Sequence, residues 1–193
     1  IIGGDKESRH GVVLAKSVSA KKIGIITGEP VVYAMQKCPN LLMFSPEHEY
    51  YSKQSHKFIQ VVQQYTPEIE QVSIDECYAD MTSVMSHFNK NGQQMNPMEI
   101  ADMLKTDIYN KLGFTVNIGV SSNKILAKMA SDMDKPLGIT VLRKREVETK
   151  LWPLPIEDMF GIGKKTVPRL HDIQVFTIGD LNTIPFDTIR GVL

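Results

Sequence analysis

The sequence predicts an α+β chain, with helices covering one face of a mostly antiparallel sheet and a run of short helices after it. Three observations carry this expectation. From residue 45 onward the apolar periodicity reads helix, strand, strand, helix, strand, helix, strand. At Arg143-Lys144-Arg145 the character changes, and the later apolar segments are short and helical. Between the first two strands of that series stand two adjacent carboxylates, Asp75 and Glu76, in a place where a tight hairpin favours Asn-Gly or Asp-Gly.

Composition narrows the class. The chain has 193 residues, enough for one large domain or two small ones with a sizeable core. Its 42% hydrophobic and 23% charged residues are ordinary for a globular protein, and 22 basic side chains balance 22 acidic ones. A contact with nucleic acid would therefore rest on local basic patches, not on net charge. Cys38 and Cys77 are too few and too separated for a metal knuckle or a disulfide framework, which points to a reducing, cytoplasmic setting. No apolar run is long enough to span a bilayer and no secretory pattern opens the chain, so no membrane partner is expected. Beginning at Ile1 and stopping at Leu193, the sequence reads as a piece of something longer.

Residues 1–44 read as a small mixed unit. Ile1 and Ile2 lead through Gly3-Gly4-Asp5 to the apolar stretch Gly11–Ala15, a strand, turn and strand. Lys16 to Gly24 is a short basic helix or turn closed by glycine, and Pro30 to Cys38 has helical spacing. Ser45-Pro46 is a plausible cap and first residue for an amphipathic helix reaching about Gln64, with Tyr50, His56, Ile59, Val61 and Val62 on its apolar side. The strands flanking the acidic pair come next, then a polar turn at 89–96. Pro97 opens a helix carrying Ile100, Met103, Leu104, Ile108 and Leu112, which Gly113 stops. Phe114 to Val120 alternates as a strand. Ser121 or Ser122 caps a further helix with a stripe of Ile125, Leu126, Met129, Ala130 and Met133, and 138–142 is a strand. Short helices follow at 146–152, 156–158, 164–171 and 186–193.

The acidic pair is the first candidate for chemistry. Two carboxylates fixed at a strand end repel each other unless a cation neutralises them, and Mg²⁺ is a hard cation commonly held by one or two carboxylates with substrate phosphates. A solvated acidic hairpin tip, with Asp80 as a third acid nearby, is the alternative. The second candidate is Ser121-Ser122-Asn123-Lys124. A lysine on the first turn of a helix suits a phosphate through free N–H groups and the dipole. Lys128 lies one turn further on the same face, and two solvated lysines are the plain alternative. The third is Phe160-Gly161-Ile162-Gly163-Lys164-Lys165. It is neither a Rossmann fingerprint nor a P-loop, since Thr166 stands where a third glycine would and Lys165 where a Ser or Thr would. A Gly-x-Gly turn between short helices suits a helix-hairpin-helix that clamps DNA backbone, or simply a turn between packed helices. The three lysines of 16–22 offer a further phosphate site or a solvated face. His10, His48, His56, His87 and His171 lack zinc spacing, and the methionines Met81, Met85, Met95, Met98, Met103, Met129 and Met133 read as core filler.

Together these residues resemble a Y-family (translesion) DNA polymerase of the DinB/UmuC, ImpB/MucB/SamB-like type. Ser73-Ile74-Asp75-Glu76-Cys77-Tyr78-Ala79-Asp80 is similar to that family's palm motif. The run Gly119-Val120-Ser121-Ser122-Asn123-Lys124, then Leu126 to Asp132, then Lys135-Pro136 is similar to its second long signature. Phe160 to Lys164 with Thr177 to Leu181 is like its thumb. Ala15 to Lys21, with Val18 and Lys21 where many members carry Tyr and Arg, is closer to the UmuC-like branch.

The resemblance implies a small fingers unit at 1–44 and a palm at 45–142 with a ferredoxin-like mixed or antiparallel sheet backed by helices. It implies a helical, incomplete thumb at 143–193 with the helix-hairpin-helix. It implies error-prone, template-directed nucleotidyl transfer from a dNTP to a primer 3′-hydroxyl with two Mg²⁺ ions, in a DNA-repair, SOS-response setting. Asp75 and Glu76 would be two of three metal-holding carboxylates. Lys124 would contact the triphosphate, Lys21 with Ser17 nearby would do so from the fingers, and Gly161, Gly163, Lys164 and Lys165 would hold DNA. Partners would be primer-template DNA and dNTP, with a sliding clamp and RecA- or UmuD-like proteins as further ones. The third carboxylate, the sugar-discriminating aromatic and the C-terminal little-finger domain would lie outside this sequence, so the chain as given is expected not to polymerise. A non-catalytic DNA-binding or scaffolding relative is the second reading. Another palm-type enzyme such as a cyclase is a third, against which the helix-hairpin-helix argues for a polymer substrate.

Overall fold

A computed structural model describes residues 1–4 and 11–192. Asp5 of the first turn and His10 lie outside the described residues. The chain divides into two compact units, Ile1–Ser55 and His56–Leu193.

In the first unit, β1 (Ile2–Gly3) pairs antiparallel with β2 (Val13–Ala15). Ser17 caps α1 (Val18–Lys22), its hydroxyl accepting from the Ala20 N–H at 3.2 Å. Lys21 and Lys22 sit in the last turn of that helix, where cations complement the dipole. Gly24 follows at φ 80°, a conformation that costs glycine nothing. After Pro30 comes α2 (Val31–Lys37). Val13, Ala20, Ile25, Val31 and Ala34 form the core of this unit. Lys37 fastens it by pairing with Glu29 at 2.6 Å and donating to the Gly24 carbonyl at 2.7 Å. The unit boundary falls inside α3 (His48–Val62). That helix starts later than Ser45-Pro46 suggests. Ile59, Val61 and Val62 are buried, whereas Tyr50 and His56 are exposed, so only the C-terminal part of the predicted stripe is apolar contact.

The second unit opens with the antiparallel pair β3 (Ile69–Gln71) and β4 (Cys77–Ala79), in register Ile69↔Ala79, Glu70↔Tyr78 and Gln71↔Cys77. The predicted polar turn at 89–96 is itself a hairpin of β5 (Asn89–Lys90) and β6 (Gln93–Gln94). Its corner is Asn91-Gly92 with φ 52° and 78°, the pair of left-handed residues that a two-residue hairpin turn requires. α4 (Pro97–Leu112) starts on a capping box between Asn96 and Glu99 and ends on Gly113 at φ 71°. Ile100 and Ile108 are buried along it, but Met98 and Met103 face outward and do not fill the core.

β7 (Ile118–Val120) and β8 (Ile139–Val141) pair in parallel, and α5 (Lys124–Met133) connects them. A parallel pair needs such a crossover. Both α4 and α5 pack against this pair. At Gly119 a Cβ would come within 1.9 Å of the Ala127 carbonyl oxygen, so the missing side chain is what lets α5 lie directly on β7. The strands are therefore mixed in direction and held as two-stranded ladders, with β3–β4 and β7–β8 not hydrogen-bonded to each other.

The remaining elements are short. They are a 3₁₀ turn at Lys144–Glu146, α6 (Val147–Lys150), another 3₁₀ turn at Ile156–Asp158, α7 (Val167–Asp172), a further 3₁₀ turn at Gly179–Asn182, and α8 (Phe186–Val192). Lys164 and Lys165 precede α7 instead of opening it. Met129 and Ala130 of α5 share a core with Leu142, Leu151 and Ile178, and Ile156, Leu170 and Val175 form the core of the last segment. The core around Met129 joins α5 to the short helices.

Candidate active site

The acidic pair sits on the connection between β3 and β4. The Val72 and Ser73 N–H groups both donate to the Glu76 carbonyl, at 3.0 and 3.2 Å, which extends the ladder and closes the turn. Ser73 fixes Asp75 from the side chain, its hydroxyl donating to Asp75 Oδ1 at 2.8 Å. Asp75 and Glu76 are both exposed. Asp80 does not join them. It stands beyond the other end of β4, where its carboxylate accepts from the Thr82 N–H at 2.9 Å, and bonding to Thr82 holds its pKa below the ordinary carboxylate value.

Helix α5 faces this hairpin with its lysines. Its cap is Asn123, whose side chain accepts from the Leu126 N–H at 2.8 Å. Ser121, expected as the cap in alternation with Ser122, instead donates to the Leu142 carbonyl at 2.6 Å and ties the end of β7 to β8. Leu126, Met129, Ala130 and Met133 turn inward, while Ile125, expected in the buried stripe, is 53% exposed.

Lys124 and Lys128 then project toward β3–β4. Glu70 and Tyr78 are cross-strand neighbours. Lys124 pairs with Glu70 and lies 5.8 Å from the Tyr78 ring centroid. Lys128 pairs with Glu76 at 2.5 Å and lies 3.8 Å from Asp132 and 5.9 Å from the Phe160 ring centroid. Lys128 is thus not a solvated lysine, since only 15% of its side chain is exposed. Burial pulls its pKa down, but the Glu76 hydrogen bond and the charges of Asp132, Glu76 and Tyr78 outweigh that and leave it raised. Cys77, beside the pair, is half-buried, and burial pushes its thiol up to about 11. It is a neutral packing group at ordinary pH.

The Gly161 turn reaches the same helix. The Phe160 N–H points at the Met129 sulfur at 3.2 Å, and the Phe160 ring faces Lys128. Gly161 has φ 92°, and a Cβ added there or at Gly163 would meet nothing within 4 Å. The glycines therefore leave open space over the backbone. Lys164 and Lys165 are exposed beside it.

Of the residues singled out from sequence, Lys124 lies on α5, Glu76 pairs with that helix through Lys128, and the Gly161 turn meets it through Phe160. Ser17 and Lys21 belong to the first unit, where Ser17 is occupied as a helix cap and Lys21 is exposed. Sequence reasoning assigns no role to Lys128 or Glu70. Their signal is nonetheless present: Lys128 follows Lys124 at helical spacing, and Glu70 precedes the acidic pair at alternating strand positions.

Asp75 and Glu76 offer hard oxygen donors at an open turn, which suits Mg²⁺ bound through two carboxylates and completed by substrate oxygens. Among the described residues no group of three His, Cys, Asp or Glu side chains is placed to hold a metal. No helix among them is long and apolar enough to cross a membrane.

An acidic hairpin faced by a lysine-bearing helix, with a glycine turn between short helices beyond it, is the layout of a Y-family polymerase. The chain belongs to the impB/mucB/samB family, whose model matches residues 1–132, and the IMS family HHH motif matches residues 144–175. DNA polymerase IV of Clostridium acetobutylicum is 46% identical over 181 residues, covering 94% of this chain and 44% of that protein. DNA polymerase IV 1 of Bacillus subtilis is 39% identical over 192 residues, covering 100% and 45%. The crystal structure of DinB from Sulfolobus solfataricus superposes with a TM-score of 0.87 at 29% identity, covering 100% of this chain and 55% of that one. An insertion ternary complex of Dbh DNA polymerase gives the same TM-score, identity and coverage. The chain thus spans about half the length of the relatives it matches. The Ala15–Lys21 pattern that resembles the UmuC-like branch stands in a chain whose relatives here carry the DNA polymerase IV name.

Proposed function

We propose that this chain is the nucleotidyl-transfer part of an error-prone translesion DNA polymerase, extending a primer 3′-hydroxyl from dNTP along a template. In this reading 1–44 are the fingers, 45–142 the palm and 143–193 part of the thumb. The observation that carries it is the acidic pair Asp75–Glu76 on its hairpin with the α5 lysines opposed, in a chain of this family. Support for a DNA substrate comes from the polymerase names of its relatives and from the helix-hairpin-helix match.

Asp75 and Glu76 would hold a pair of Mg²⁺ ions, which supply positive charge to the attacking and leaving oxygens of an in-line displacement. Ser73 orients the Asp75 carboxylate for that task. Lys124, 59% exposed and paired with an exposed glutamate, can exchange Glu70 for a triphosphate oxygen. Lys21, with Ser17 setting its helix, would add charge from the fingers. The open backbone at Gly161 and Gly163, with Lys164 and Lys165, would receive DNA phosphates.

The test is primer extension with Mg²⁺ by the protein at the length of its relatives. Extension should be lost in D75N and in E76Q while primer-template binding survives. Extension by the double variant at the parent rate would remove the catalytic assignment. A non-catalytic DNA-binding relative is a second reading, since among the described residues no group of three His, Cys, Asp or Glu side chains is placed to hold a metal. It is supported if the parent protein retains DNA yet never extends it. The chain of 193 residues alone is expected to be inactive in the same assay.

A further inference from the structure

We propose that Lys128 is the resident counter-ion of Glu76: it holds that carboxylate until a divalent ion takes it, and then passes to Asp132. The proposal rests on the reading that Asp75 and Glu76 hold metal.

The burial of the two partners is unequal. The Lys128 side chain is 15% exposed and Glu76 48% exposed, so the lysine is enclosed by its neighbours while the glutamate stays accessible to a cation from solvent. Three groups converge on one ammonium: Glu76 at 2.5 Å, Asp132 at 3.8 Å and the Phe160 ring at 5.9 Å. A divalent ion on the Glu76 carboxylate would repel Lys128 across a few ångströms. An ammonium left buried without an anion would be costly, and here it is not left so. Asp132 stands one helical turn on. Its Oδ1 is engaged by Lys135 at 2.5 Å, while Oδ2 is the oxygen nearest Lys128. The exchange therefore keeps Lys128 paired in both states. Lys124 has no such arrangement, because it and Glu70 are both more than half exposed and are screened by solvent.

As a counter-ion in place, Lys128 is a positioning residue that opposes metal entry. Removing its charge should tighten metal binding, whereas a residue that merely packs would leave affinity unchanged. The probe is Mn²⁺, titrated into the protein at the length of its relatives and followed by the electron paramagnetic resonance of the free ion. K128M should bind Mn²⁺ roughly tenfold more tightly, the effect of deleting one positive charge several ångströms from a divalent ion. K128R should stay near the parent. Circular dichroism checks the fold, and K128Q serves as the uncharged variant if K128M is not folded. Equal or weaker binding by a folded uncharged variant overturns the proposal, provided that D75N/E76Q abolishes binding. Retention of Mn²⁺ by D75N/E76Q overturns the metal-site reading itself, and the proposal with it.

Discussion

Lys128 joins Glu76 across 52 positions of sequence, its Nζ 2.5 Å from the Glu76 carboxylate. This pair and the neighbouring Lys124–Glu70 pair hold α5 against the β3–β4 hairpin. They are chemically alike but differ in solvent exposure, and that difference decides what each contributes.

Glu76→Gln should destabilise the chain by about 1 kcal/mol, because it removes a charge-assisted bond from a largely buried lysine that retains only the longer approach to Asp132. Glu70→Gln should cost less than about 0.5 kcal/mol, since both partners there are more than half exposed. Urea denaturation of the two variants reads the difference. Equal losses would mean that burial does not separate the two pairs.

Gly119→Ala should be far more damaging than either. The new methyl would stand 1.9 Å from the Ala127 carbonyl oxygen and 2.4 Å from the Ser131 nitrogen, both backbone atoms of α5. Neither β7 nor α5 can yield without separating, so a loss of about 3 kcal/mol is expected. A fall in denaturation midpoint matching no more than a surface substitution would show that the helix can shift. The same shift would move Lys124 and Lys128 away from the hairpin, so the variant also tests whether β7 places the lysines.

Much of this is legible in the sequence. The order of elements from residue 45, the glycine stop at Gly113 and the strands around the acidic pair follow from periodicity and cap chemistry, which are local signals. What is not legible depends on the choice of cap and on distant contact. Ser121 or Ser122 looks like the cap, yet Asn123 takes that place, and Ser121 bonds instead to the Leu142 carbonyl beyond the neighbouring strand. Ile125, the second residue of α5, faces solvent although the rest of the stripe packs inward. Lys128 looks like one more surface lysine because nothing near it in sequence shows that Glu76 and Phe160 arrive from either side. Residues 89–96 are legible as a turn, but a stretch so polar gives no apolar alternation to reveal the ladder that Asn91-Gly92 allows.

The Gly161 turn yields a prediction with a salt dependence. Under the DNA-clamp reading, K164A/K165A should weaken primer-template binding uniformly across sequences. It should also reduce the slope of log affinity against log salt by about one for each phosphate that these lysines neutralise. Fluorescence anisotropy over a salt series measures both. An unchanged slope would place these exposed lysines away from DNA, leaving Gly161 and Gly163 as a turn between packed helices.

Glu146 supplies a pH test where the short helices begin. Its carboxylate accepts from Lys150 at 2.8 Å and from the Arg143 N–H at 3.0 Å, and these bonds hold its pKa at about 2, below the ordinary 4.5. A carboxyl whose pKa is lower folded than unfolded favours the folded state above the unfolded value. That contribution is lost as pH falls from 4.5 through about 2, because the unfolded chain takes up the proton first. Solvent screening at this exposed site keeps the effect small. Thermal denaturation of E146Q across that range should therefore give a shallower acid limb than the parent, with the two curves furthest apart near neutral pH and converging toward pH 2. Parallel curves would mean that the bonds to Lys150 and Arg143 do not survive in solution.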